Sequence, residues 1–108
     1  MLLINERDKR MKLLTKEIEK NIPPIGDTER HENPKIHVKF FTPDANWTWY
    51  VLEGEKLESG DWEFFGLVDG HEKKLGYFRL SDLQGAKGML GLPIERDRYF
   101  SGHLKDVQ

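Results

Sequence analysis

Polar and apolar residues alternate through the middle of the chain. Ile36, Val38 and Phe40 fall on one parity, and His37, Lys39 and Phe41 on the other. That two-residue period predicts a strand with one buried face. Thr42-Pro43-Asp44-Ala45-Asn46 then supplies turn chemistry: proline presets φ, and Asp44 and Asn46 can bond nearby amides. Beyond it, Trp47, Trp49 and Val51 alternate with Thr48, Tyr50 and Leu52, so residues 36–52 read as an antiparallel pair. Residues 54–60 are polar, contain two glycines and predict a loose connection. A third strand is expected over residues 61–68, with Trp62, Phe64 and Val68 on one face and Phe65 and Leu67 on the other. Asp69-Gly70 is the strongest hairpin signal in the chain and predicts a type I′ turn. It feeds a strand through Leu75-Gly76-Tyr77-Phe78. Gly66 and Gly76 inside strand patterns mark a bulge or a close backbone approach.

The period changes on either side of this block. Leu14, Ile18 and Ile22 recur at four-residue steps, Thr15 is placed to cap, and Glu17 and Glu19 suit the positive end of a helix dipole. Pro23 ends the segment. A short helix over Lys16–Asn21, packed on the sheet, is expected. Residues 23–34 have few apolar anchors and read as a surface connection, the alternative being a mobile lid. Ser81-Asp82-Leu83-Gln84 fits a capping box and predicts one or two helical turns ending near Gly85 or Gly88. Pro93 argues against a regular central strand, and residues 101–108 are expected to fray. Residues 1–10 look unlike the rest of the chain, and Met11 offers an alternative start. They are expected to be a tail outside the domain, the alternative being one helix from Met1 to Asn21. The whole predicts one α+β domain over residues 11–100. It is an antiparallel meander of about four strands, with a short N-terminal helix and a short helix after the last strand.

Several of these motifs carry a family resemblance. They are Met11-Lys-Leu-Leu-Thr-Lys-Glu, the run from His37 through Trp-Thr-Trp-Tyr50, Phe64-Phe-Gly-Leu-Val-Asp-Gly-His-Glu72, Leu75-Gly-Tyr-Phe78 and Gly91-Leu-Pro-Ile-Glu-Arg-Asp97. Together they resemble the family catalogued as domain of unknown function 2958 over roughly residues 11–100. The resemblance implies a small bacterial protein of a kind often carried on plasmids and other mobile elements. It brings no catalytic residues to carry over. Residues 1–10 lie outside it, which supports Met11 as the family-like start.

Composition narrows the function classes. The 108 residues contain no cysteine, which removes a disulfide framework, a thiol nucleophile and a thiolate metal site and suits a cytoplasmic location. No apolar run approaches the roughly 18 residues of a membrane span. Charged residues make up 33% of the chain and nearly balance, at −2 net. Nucleic-acid binding through a positive field is therefore disfavoured, although aromatics interleaved with Lys35 and Lys39 could stack single-stranded bases. No cofactor is expected: the glycines form neither a dinucleotide nor a phosphate-loop fingerprint. His31, His37, His71 and His103 show no metal-binding spacing, and Ser59, Ser81 and Ser101 lack a nucleophile-elbow setting. His71 and Glu72, adjacent on a strand end, point to opposite faces.

The residues leave three readings of function. In the first, the chain is a non-enzymatic module that binds an unidentified protein through residues 44–50, using Asp44, Asn46, Trp47, Trp49 and Tyr50. It is weighed against a plain core role for the rings, each of which can bury about 150–250 Å². In the second, Asp44, Glu95 and Asp97 converge in an acidic cleft and serve a small hydrolase or metal-dependent enzyme. The third is a weak single-strand binder. The expected assembly is a monomer, or a weak homodimer paired through an exposed strand edge.

Overall fold

The computed structural model describes residues 12–108, so the expectations for residues 1–10 and for Met11 lie outside the described residues. The elements in chain order are α1 (Lys16–Asn21), β1 (Lys35–Ile36), β2 (Val38–Phe41), β3 (Thr48–Lys56), β4 (Trp62–Asp69), β5 (Lys73–Arg79), α2 (Leu80–Gly85), β6 (Glu95–Arg96), β7 (Gly102–His103) and α3 (Leu104–Val107). Five strands form one antiparallel sheet in the order β5-β4-β3-β2-β6, and β1 pairs with β7 in a separate two-stranded ribbon. The fold is α+β. The fifth strand of the sheet is β6, two residues on the outer edge of β2, where Pro93 just ahead of it breaks no central ladder.

α1 forms where local chemistry places it. The Thr15 hydroxyl accepts from the Ile18 amide at 3.2 Å, and Ile22 ends the helix just before Pro23. α2 starts differently from the capping-box expectation. Leu80 already lies in the helix, and Arg79 is the N-cap; its amide donates to the Asp82 carboxylate at 3.2 Å. Ser81 lies in the first turn instead, where its amide and hydroxyl donate to Asp61 at 3.0 and 2.6 Å. The Asp61 carboxyl is held below the usual aspartate range, chiefly by the Ser81 hydroxyl.

The sheet is covered on both faces. One core holds Phe40, Val51, Phe64, Phe78 and Ile94 from the sheet and its flanks, with Ile22 and Leu83 from the helical side. Phe64 lies at its centre, with the rings of Phe40, Trp62 and Phe78 within 5.6–6.2 Å. The opposite face holds Ile36, Tyr50, Leu52, Leu67 and Leu104. The residues expected to fray build this second layer. Residues 102–107 form β7 and α3, Leu104 is buried, its amide donates to the Pro34 carbonyl at 2.9 Å, and the Lys105 amide donates to Asn33 at 2.7 Å.

β3 carries the main irregularity. Its register with β4 slips between Val51 and Glu53, so Val51 faces Gly66 and Glu53 faces Phe65, leaving Leu52 as the extra residue of a bulge. A Cβ on Gly66 would collide with the Tyr50 carbonyl oxygen, which is the close approach expected at both strand glycines and found at this one. Gly76, opposite Gly66 on β5, has open space around its α-carbon.

The β4–β5 connection departs from the type I′ expectation. Asp69 pairs with Lys73, so three residues, Gly70, His71 and Glu72, make the turn, and the Gly70 amide donates to the Glu72 carbonyl at 3.0 Å. Gly70 is not among the glycines with positive φ. The Trp47 indole lies against its α-carbon, where a Cβ would enter the ring. Packing, and not turn torsion, requires glycine here.

Gly66→Ala is expected to lower unfolding free energy by about 1–3 kcal/mol through backbone overpacking. Gly76→Ala, by contrast, is expected to be neutral or stabilising by about 0.5 kcal/mol. Paired denaturant titrations measure both; equal losses at the two positions would remove the bulge contact as the cause.

Candidate functional site

The bulge redirects one charged side chain. Trp49 and Val51 face the helix-covered core, and strict alternation would send Glu53 into the same apolar layer. The extra residue turns Glu53 over, so that Leu52 and Glu53 both lie on the opposite face, Glu53 beside Phe65. Glu53 is 3% exposed. Its Oε1 accepts from the Gly26 amide at 2.7 Å, and its Oε2 accepts from the Thr28 amide at 2.8 Å and from the Thr28 hydroxyl. Burial alone would raise its pKa. The Thr28 hydroxyl and the two amides outweigh burial, and the carboxyl is held below the ordinary glutamate range. This carboxylate pins residues 23–34, the segment read as a surface connection, across the sheet. Pro23 adds a second tie, its carbonyl accepting from the Gly54 amide at 2.9 Å. Gly26 has φ of 96°, a left-handed conformation suited to glycine, and its amide is one of the two that face Glu53.

Between the pinned segment and β5 lies a groove of about 450 Å³. Leu52, Phe65, Leu75, Tyr77 and Leu104 make its apolar lining, and Thr28 and His31 stand on the wall formed by the pinned segment. The Phe65 and Tyr77 rings meet at 5.1 Å.

The other notable surface is at the β2–β3 turn. Thr42 is buried; its amide donates to the Trp47 carbonyl and its hydroxyl accepts from the Trp47 amide, both at 3.0 Å. This closes the turn and aims Asp44 at residues 86–93. Asp44 Oδ2 accepts from the Leu90 amide at 2.7 Å and the Leu92 amide at 3.3 Å. Its Oδ1 lies against Gly88, where any Cβ would collide with it. The held segment is a tight turn, with the Gly88 amide donating to Leu92 and the Gly91 amide to Gly88, each at 3.0 Å. At its tip Met89 and Leu90 are 89% and 80% exposed.

The residues singled out in the sequence therefore separate. Asp44 and Asn46 sit on the turn, Asn46 exposed. Trp47 and Trp49 are half-buried and stack on each other at 6.0 Å, with His71 edge-on to Trp47 at 5.5 Å. Tyr50 is buried on the opposite face beside Phe100. Burial, with Asp69 and Asp97 adding to it, raises the pKa of its hydroxyl.

Two of the three carboxylates also have separate partners. Asp44 holds backbone amides. Asp97 pairs with Lys39 at 3.4 Å, whose ammonium lies over the Phe100 and Tyr50 rings. Glu95 is exposed on β6, opposite Phe41. Among the described residues no three His, Asp or Glu side chains are disposed to hold a metal ion. Among them, too, no helix is long and apolar enough to cross a membrane.

Glu53 and the apolar tip were missed in the sequence. Glu53 does leave a trace: it continues the parity of Trp49 and Val51 with a charge, which marks either an edge or a bulge. Met89 and Leu90 leave none, because two apolar residues in a glycine-rich segment read equally well as core.

Glu53 binds its proton less readily in the folded state than when unfolded. Its contribution to stability is therefore complete above about pH 5 and is lost as pH falls through its lowered folded value. Glu53→Gln is expected to flatten this acid dependence and to lower stability at neutral pH; an unchanged pH–stability curve would show that the carboxylate does not hold the segment. Asp44→Ala is expected to cost about 1–2 kcal/mol and to speed hydrogen exchange at the Leu90 and Leu92 amides while leaving β4 protected.

No curated protein and no solved structure shows a significant match to the chain. The family described as "Protein of unknown function (DUF2958)" matches residues 2–105, a span that begins ahead of Met11 and takes in most of the C-terminal layer. The sheet with its two covering layers is thus the domain of that family, and the chain belongs to DUF2958.

Proposed function

We infer that the chain is a non-enzymatic protein-binding module whose contact surface is the Asp44 turn together with the apolar tip that it holds. The observation behind this reading is the pairing of high exposure with fixed backbone: Met89 and Leu90 stand in solvent on a turn tied from behind by one carboxylate. Exposed apolar side chains on a mobile loop must be ordered on binding. Here much of that ordering is already in place, so more of the burial free energy, about 1.5–3 kcal/mol for each fully buried side chain, would appear as affinity. Leu92, partly exposed on the same turn, widens the apolar contact, and Asn46, exposed on the Asp44 turn, is a polar group of the same surface. The surface lies near residues 44–50, but its anchors are aliphatic. Trp47 and Trp49 act mainly as a stacked support against Gly70.

The joint substitution Met89→Ser with Leu90→Ser is expected to change stability by less than about 0.5 kcal/mol, as exposed positions do, while abolishing capture of the partners that the unaltered chain retains from its host's extract. Identical captured proteins for both forms would defeat the reading.

A further inference from the structure

β5 is the outer strand of the sheet, with no strand of the chain beyond it among the described residues, and it is seven residues long. Lys73, Leu75, Tyr77 and Arg79 share one parity and hence one face, so that face reads cation, apolar, apolar, cation. Leu75 and Tyr77 are 47% and 63% exposed, even though their cross-strand neighbours Leu67 and Phe65 belong to the core of that face. The covering layer reaches Leu67 and stops. Leu75 borders two hollows: the groove of about 450 Å³ against the pinned segment, and another of about 380 Å³ shared with Leu67, Lys73 and Gln108.

We propose that β5 accepts an extended peptide segment of another protein as a sixth strand, one that carries two apolar side chains at alternate positions flanked by acidic residues. The open edge supplies backbone hydrogen bonds, and the hollows beside Leu75 and Tyr77 take the alternate side chains of the added strand. Lys73 and Arg79 select the charge at its ends. Each already has acidic surroundings: Asp69 stands opposite Lys73 and Glu63 opposite Arg79, and Asp61 lies close enough to Arg79 for its carboxyl to feel the cation. Among the described residues, however, neither cation forms an ion pair within the sheet, and Lys73 donates only to the Val107 carbonyl, at 2.9 Å. A second copy of the chain fits poorly. Antiparallel pairing centred on Gly76, the register that uses the whole strand, sets Lys73 of one copy against Arg79 of the other, and like charges directly opposite are destabilising. The cation-apolar-apolar-cation pattern is symmetric, so either strand direction presents the same complement. This surface is distinct from the Met89–Leu90 tip and needs neither that tip nor Asp44.

The test uses the full chain and two end-blocked peptides, Glu-Thr-Val-Thr-Ile-Thr-Glu and its counterpart with lysine at both ends. Isotope-edited NMR is expected to give saturable shifts for the acidic peptide, concentrated at the β5 amides, with the basic peptide at least about tenfold weaker. Tyr77→Lys, at an exposed position, is expected to abolish binding while the spectrum stays folded. The joint change Lys73→Glu with Arg79→Glu is expected to reverse the preference toward the basic peptide. Absence of saturation by the acidic peptide up to about 1 mM, shifts located away from β5, equal binding of both peptides, or concentration-dependent pairing of the chain through β5 would each overturn the proposal. Because Met89→Ser with Leu90→Ser leaves β5 intact, peptide binding by that variant separates the fate of this proposal from that of the tip.

Discussion

One extra residue in the central strand sets the layout of the second face. With β3 in unbroken alternation, Glu53 would sit among Phe64, Ile22 and Val51, where a carboxylate has no donors and burial is costly. The bulge at Leu52 turns it to the other side of the sheet, where the amides of Gly26 and Thr28 and the Thr28 hydroxyl meet it. Gly66 makes the bulge sterically possible, and Gly26 supplies an amide on a left-handed residue. Three positions far apart in the chain thus depend on one another, and the wall of the groove depends on all three.

The same device recurs. Glu53 holds residues 23–34, Asp44 holds the turn around Leu90, and Asp61 holds the start of α2, each by accepting backbone amides from another part of the chain. The described helices have only four to six residues, too short to be stable by propensity alone. Segments of this kind need tertiary ties, and an ionised carboxylate receiving backbone N–H groups is a stronger tie than a neutral hydrogen bond. It also leaves the backbone in a fixed position, and both the apolar tip and the groove rest on segments fixed in this way.

The covering layers explain where surface is left open. The helical side closes over Phe64 with residues from α1, α2 and the segment before β6. On the other side the β1–β7 ribbon, α3, Phe100 and the pinned segment cover Tyr50, Leu52 and Leu67 and leave Leu75 and Tyr77 partly in solvent. A small chain has limited material for two full layers, and the deficit falls on the edge strand.

Much of the architecture was legible in the residues because it rests on local physics. Thr15 caps α1, apolar residues four apart give it a face, and period-two alternation marks β2, β3 and β4. Elsewhere a local signal competed with a distant contact and lost. Asp69-Gly70 reads as a two-residue turn, but the Trp47 ring on Gly70 accompanies a wider one. Ser81 reads as a cap, but Asp61 claims its hydroxyl. Leu104 and Val107 look like isolated apolar residues in a polar tail until Pro34 and Asn33 anchor them on the sheet. The sequence by itself determined the secondary-structure period, the α+β class, the principal strand pairs and the family. Only the tertiary structure decided which way Glu53 points, what Asp44 holds, that Met89 and Leu90 stand in solvent, and that β5 is an uncovered edge. Those outcomes depend on register and on contacts between residues distant in the chain, and local propensity and residue spacing alone do not decide them.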